Sequence, residues 1–496
     1  MASPDGSGYQ LVLLGDMQGQ HTLQLNGVGN AAGMIPRSAF VNMSASPLSA
    51  DVTRGGYSGA LVDLVLNASQ RWGGSIGMLL DDPALQPRPA SREPVNQGRR
   101  LQQVFGNLSM PLRRGGLRGG FDVAAQVDHE LRSLPSLTNA RDVQLEPFGL
   151  NRAQVDEALR TAADVGLPVG SAGRDGPQRV LLGGSSSMRL NLSGARNSFS
   201  ASLLAGSRRR DGLGAALLTA PSAMRGSVMS SVSGSTTWSR YWRNTIHRST
   251  SVNSTWLSDQ DRQPDPLPSA WVRFGGTDDG GLVQTTLGSA YRDATSRGTH
   301  TVDLLDQTTW FSLDGRHLLS MAVGGRRASL RVDPSDRGRA LFEFASLDAL
   351  RAGAPQRYTR TFAESGRRSM VESASLAIMD AWRISPRTLV TMGARIDADR
   401  LRYAGPLDTT ALRIAGESGT PPRSWFVSPS LSVSHSYGRT PVPQSSGPAG
   451  RVSGTLRLVR GTFDLSQADG VSASSGARMA RELQCAGNEV PVPDWG

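Results

Sequence analysis

Lysine is absent from this chain of 496 residues, so all 53 basic side chains are arginines and the formal net charge of +11 rests on guanidinium groups alone. Without lysine no GxxxxGK[ST] loop can form, which excludes a P-loop ATPase. The single cysteine, Cys485, rules out an intrachain disulfide and a cysteine-based metal site. The six histidines are scattered, with no HExxH or Cys/His spacing, and no metal site is expected. No run of roughly 18 apolar residues occurs, so no transmembrane helix is available. That leaves a membrane barrel open, because a barrel strand turns only alternate residues toward lipid.

Catalytic patterns are missing too. Gly183-Gly184-Ser185 reads as a loop, and no glycine–serine group has an assigned His or Asp partner. Asp63, Asp122, Asp128, Asp397 and Asp399 are neighbours only as acids on alternating strands, where carboxylates are usually solvated, so no glycosidase pair is assigned. No catalytic residue and no cofactor is expected. The longest basic run, Arg208-Arg209-Arg210, reads as a loop. Basic patches interleaved with aromatics are lacking, which argues against nucleic acid. Arginine in place of every lysine points to a GC-rich coding sequence.

What is present is period-two alternation. Phe121, Val123, Ala125 and Val127 alternate with Asp122, Ala124, Gln126 and Asp128. From Thr388 to Arg402, Val390, Met392, Ala394, Ile396 and Ala398 share one face, with Thr391, Gly393, Arg395, Asp397 and Asp399 on the other. Strands are expected over Thr299–Ser312 and Leu318–Val332, joined at Asp314-Gly315-Arg316. Such segments exceed the five or six residues or so of a globular strand and suit a tilted crossing of a bilayer. Arg88–Gln97, Ser258–Ser269 and Gly438–Gly450 read as long polar loops. Asn151–Val165 reads as one short surface helix, with Asn151 as N-cap and Gly166-Leu167-Pro168 as stop. At the front, Thr22–Leu25, Ala39–Met43 and Leu61–Leu66 are short strand-like runs, as is Tyr9–Leu14.

Three stretches carry a family resemblance. Arg54-Gly55-Gly56-Tyr57-Ser58-Gly59, followed by the strand Ala60–Ala68 and a second Gly-Gly, resembles the end of the plug domain of TonB-dependent outer-membrane receptors of the Oar-like group. Met379-Asp380-Ala381-Trp382-Arg383-Ile384-Ser385-Pro386-Arg387 and the strand after it resemble a barrel hairpin of those receptors. Ser428-Pro429-Ser430 resembles the strand that follows. At Leu66-Asn67-Ala68-Ser69 the chain departs from the family wording, which blurs the boundary between plug and barrel.

The resemblance implies an all-β chain: a partial transmembrane antiparallel β-barrel over 71–496, with long extracellular loops, preceded by the C-terminal part of a plug domain over 1–70. It implies Gly55, Gly56, Ser58 and Gly59 as plug hinge positions. Arg395, Asp397 and Asp399 would face the lumen, bonding the plug or lining the path. Trp382 would be an interface aromatic. The implied partners are outer-membrane lipid, a TonB energy-coupling complex and a small nutrient, and the implied place is the bacterial outer membrane. Because neither a signal peptide, a TonB-contacting box nor a terminal aromatic strand is found, and about a dozen strands or fewer are counted against the 22 or so of a plugged transporter, a piece of a longer chain is expected. The alternative is a secreted or surface β-rich adhesion or structural protein, whose strand faces would both pack against protein.

Overall fold

A computed structural model of the chain describes residues 22–25, 28–29, 35–46, 52–53, 61–66, 71–82, 85, 99–134, 136–170, 178–213, 216–243, 245–262, 268–275, 283–289, 295–334, 340–363, 367–404, 423–436, 451–457 and 480–486. The N-terminal segment is a four-stranded sheet of β1 (Thr22–Leu25), β2 (Val28–Gly29), β3 (Phe40–Ser46) and β4 (Leu61–Leu66), in the order β2-β1-β4-β3. It is mixed: β1 runs parallel to β4, and β3 antiparallel to it. Tyr9–Leu14 lies outside the described residues.

The body is a wall of thirteen strands. It begins with β5 (Gly73–Asp81), β6 (Arg99–Arg114), β7 (Leu117–Ser133), β8 (Gln178–Ser193), β9 (Asn197–Leu213), β10 (Arg225–Trp242) and β11 (Ile246–Arg262). The chain then leaves it for β12 (Ser269–Phe274) and β13 (Val283–Gly288), returns as β14 (Thr295–Phe311) and β15 (His317–Pro334), and leaves again for β16 (Ala340–Phe344) and β17 (Arg357–Ala363). It closes the series with β18 (Arg367–Ser385), β19 (Thr388–Ala404), β20 (Arg423–Ser436) and β21 (Arg451–Arg457). Neighbours along the wall are antiparallel throughout. The end strands β5 and β21 do not pair with each other among the described residues, so the sheet is open. Thirteen strands is slightly more than the dozen read from the sequence.

Alternation sorts the two faces. On the outer face Leu304, Val323, Leu376, Ile378, Met392 and Ile396 are exposed. On the inner face many side chains are small and polar, among them Ser185, Ser187, Ser231, Thr301, Thr309 and Ser320, all buried. Short turns join the strands at one rim. The Asp314-Gly315 turn is as expected: Gly315 takes φ +67°, a conformation that costs glycine little, and Asp314 accepts from the Ser312 hydroxyl at 2.5 Å and the Arg316 N–H at 3.0 Å. Ser385-Pro386 makes the turn between β18 and β19, with the Ser385 hydroxyl accepting from the Thr388 N–H at 3.1 Å.

Three expectations of loop are corrected. Arg208-Arg209-Arg210 lies inside β9 and Gly183-Gly184-Ser185 inside β8. Ser258 to Arg262 continues β11, and Ser269 opens β12. A strand with a polar inner face tolerates charge and glycine at positions where a sandwich core would not, so these residues could not be told from a loop by composition.

Among the described residues, the long inserts at the other rim are not separate loops. β12, β13, β16 and β17, with β22 (Ala480–Ala486), form a second sheet in the order β13-β12-β16-β17-β22. Packed on it are α1 (Asp142–Leu145), α2 (Arg152–Asp164) and α3 (Leu347–Arg351). Asn151 caps α2 as expected, its side chain accepting from the Gln154 N–H at 3.0 Å while Gln154 accepts from the Asn151 N–H at 2.9 Å. Gly166 and Leu167 donate to the carbonyls of Ala163 and Ala162 and end it in a Schellman motif. The helix buries Val155, Ala158 and Ala162 in a core with Leu137, Phe274, Leu287, Phe342 and Phe344. Four inserts thus share one hydrophobic core, which we call the cap. The free edge of β13 is covered by 218–220: Ala220 donates to Thr286, and Thr286 to Leu218.

Phe344 is 1% exposed in that core. Phe344→Ala should cost about 3–5 kcal/mol, transfer loss plus cavity. The loss should fall on the cap alone, seen as faster amide exchange in α2 and β16 with β14 and β15 unchanged; equal loss of protection in the wall would contradict a separate core.

Candidate functional site: where the N-terminal segment meets the wall

Among the described residues, two contacts hold the N-terminal segment against the inner face. The first is the turn Arg37–Ala39, which precedes β3. The Arg37 N–H donates to Gln126 Oε1 at 2.7 Å, and the Ser38 hydroxyl donates to the Gly106 carbonyl at 3.0 Å. The Arg37 guanidinium lies 6.0 Å from the centre of the Phe105 ring, near the outer limit of a cation–π contact.

The second contact is a seat built for one turn. Val52 is fully buried and packs against Ala322 of β15 and Ala377 and Met379 of β18, with Leu305 of β14 alongside. Cross-strand register sets these side by side: Ala322 opposes Ala377, and Met379 opposes Gly393 of β19. Gly393 is required by close approach. A Cβ there would stand 2.7 Å from the Ile378 carbonyl oxygen and 2.9 Å from Val52 Cγ2. The hole that takes the valine is therefore opened by the small residues Ala322, Ala377 and Gly393, which alternation turns inward.

Arg395, two residues along β19, completes the seat. Its Nη1 donates to the carbonyls of Thr53 at 3.1 Å and Val52 at 3.5 Å. Its Nε lies 2.8 and 2.9 Å from the two oxygens of Asp397. Asp397 thus holds the guanidinium in the plane that reaches the turn, and Arg395 is left only about a tenth exposed. Charge-assisted bonds to carbonyls of an otherwise buried turn are among the stronger polar contacts available.

The structure thus brings Arg395 and Asp397 together on the inner face. Asp399 shares the face but sits apart, opposite Ser373, in a row that continues to Arg326 and Asp303. Trp382 is on the outer face at the short-turn rim, stacked on His317 with ring centres 5.7 Å apart and planes 9° from parallel. His317 Nδ1 lies 2.8 Å from Asp380 Oδ2. Gly55, Gly56, Ser58 and Gly59 lie outside the described residues, immediately after the seated turn. Sequence reasoning missed Val52, Thr53, Ala322, Ala377 and Met379. Gly393, a glycine within a strand, carried the one signal, since such a glycine often marks close approach of another backbone.

No group of His, Cys, Asp and Glu that could hold a metal is found among the described residues.

No family model matches the sequence, and no curated protein does. Solved structures match the fold. The outer membrane transporter YddB from Escherichia coli aligns with 84% of this chain and 51% of its own length, at 11% identity and a TM-score of 0.50. The ferric yersiniabactin uptake receptor FyuA from Yersinia pestis aligns with 88% of this chain and 59% of its own, at 10% identity and a TM-score of 0.50. The fold is that of the outer-membrane receptor barrels, here an antiparallel wall that is open among the described residues and carries an N-terminal sheet on its inner face. The chain spans between half and three fifths of the length of these two neighbours.

Proposed function

We propose that this chain is the C-terminal part of the plug and part of the wall of a TonB-dependent receptor in the bacterial outer membrane, taking up a small nutrient rather than catalysing a reaction. The observation that carries this reading is the seated turn. A wall whose inner face holds a separate small sheet through two short turns, one of them seated by a valine and an arginine, suits a plug that stays in place at rest and moves when pulled. The exposed apolar outer face suits lipid, and the small polar inner face suits a wet lumen. Residues 1–70 form the C-terminal part of the plug, and Gly55, Gly56, Ser58 and Gly59, just past the seat, serve as its hinge. Arg395 and Asp397 anchor the plug, Asp399 lines the path, and Trp382 marks the membrane interface. The cap crowns the extracellular rim, where it meets the nutrient, and a TonB complex supplies the energy.

Sidedness tests it. In a Cys485→Ser background, Arg160→Cys on α2 should react with an impermeant maleimide in intact cells. Asp314→Cys in the short turn should react only after the outer membrane is permeabilised. Labelling of both in intact cells would instead support a surface-exposed adhesion or structural protein.

A further inference from the structure

The outer face carries one feature that a purely lipid-facing wall does not require. Near the short turn between β10 and β11, Arg240 and Arg248 stand directly opposite each other across the two strands. Both are exposed. Like charges at opposed positions destabilise a strand pair, and among the described residues only Arg248 has an acidic partner. Arg248 reaches Asp306 of β14, Nη2 to Oδ2 at 2.5 Å and Nε to Oδ1 at 3.0 Å, and the Thr250 hydroxyl donates to the same carboxylate at 3.2 Å. The Arg240 guanidinium lies over the Trp242 ring, 5.3 Å from its centre. The adjoining row is Trp242, Ile246 and Trp310, again by direct register.

Two guanidiniums, one carboxylate and flanking indoles leave a net positive charge at the edge of an apolar band. Guanidinium favours phosphate through paired, charge-assisted N–H bonds, and tryptophan settles at headgroup level, apolar body toward the chains. We infer that Arg240 and Arg248 bind the phosphodiester of an anionic phospholipid in the leaflet at the short-turn rim. Charge complementarity and the collar of aromatic residues select a lipid headgroup over a protein partner. This rests on the membrane reading above. Trp242 holds Arg240 in place, and Asp306 orients Arg248 while leaving the site cationic.

The test uses the full chain reconstituted in vesicles, with tryptophan quenching by brominated phosphatidylglycerol compared with brominated phosphatidylcholine. One arginine beside an anionic surface is worth about a fivefold preference. The wild type should show that preference, Arg240→Gln should reduce it to about one, and Arg240→Lys should retain most of it. Arg160→Gln, on the cap, should leave it unchanged. Millimolar inorganic phosphate should not remove the preference; if it does, the site takes a free ion and the lipid assignment is overturned. Quenching without headgroup preference, or a preference that survives Arg240→Gln, also overturns it while leaving the membrane reading intact. No quenching by either lipid would overturn both.

Discussion

Leu376→Arg is expected to destabilise the chain folded in a bilayer by about 2–4 kcal/mol, the cost of an arginine on the lipid face near mid-membrane. Leu376 lies halfway along β18, exposed on the outer face, with Val323 and Ile396 directly beside it in register. A urea titration of the chain in lipid vesicles reads the difference. Thr391→Arg, on the inner face one strand away, should change stability by no more than about 0.5 kcal/mol, as is usual for a solvated position. Were the outer face bathed in water, Leu376→Arg would also fall within that small range. The experiment therefore separates a membrane wall from a soluble sheet by a margin several times its error.

Arg395→Ala should free the seated turn. It removes the donor to the Thr53 and Val52 carbonyls and leaves Asp397 without its partner. A hydrogen bond from a charged group contributes about 1.5–3 kcal/mol, so the turn should open roughly 10 to 100 times more often. Thiol labelling of Thr53→Cys in the Cys485→Ser background measures that rate directly. Arg395→Lys should recover only part of the protection, because an ammonium cannot bond the carboxylate and the carbonyls in one plane. Unchanged labelling in Arg395→Ala would show that Val52 packing alone holds the turn. The wall itself should keep its stability, since the ladder on both sides of β19 is untouched.

Much of the wall was legible because its chemistry is local. Val390, Met392, Ala394 and Ile396 alternate with polar residues, and the structure puts them on one face of β19. The Asp314-Gly315 turn and the Asn151 cap with its Gly166 stop were readable for the same reason, since each is settled by a few adjacent residues. The cap was not legible. Leu137 and Val155 come from one insert and Phe274 and Phe344 from two others, and no local pattern ties stretches so far apart in the chain to one core. The arginines of β9 misled in the opposite way: Arg209 pairs with Asp211 on one face while Arg208 points to the other, so a charged run forms a regular strand. The seat was half visible. Arg395 and Asp397 stood out as charges on a strand face, but nothing in the sequence tied them to Val52, more than 300 residues earlier.

The most direct test of the account is a spin-label scan along β19, from Val390 to Asp397, in the full chain reconstituted in bilayers. If the outer face meets hydrocarbon and the inner face holds the N-terminal domain, collision with oxygen should peak at 390, 392, 394 and 396 and dip at 391, 393, 395 and 397. Uniformly low oxygen collision, or peaks for a water-soluble nickel chelate at the even positions, would contradict it.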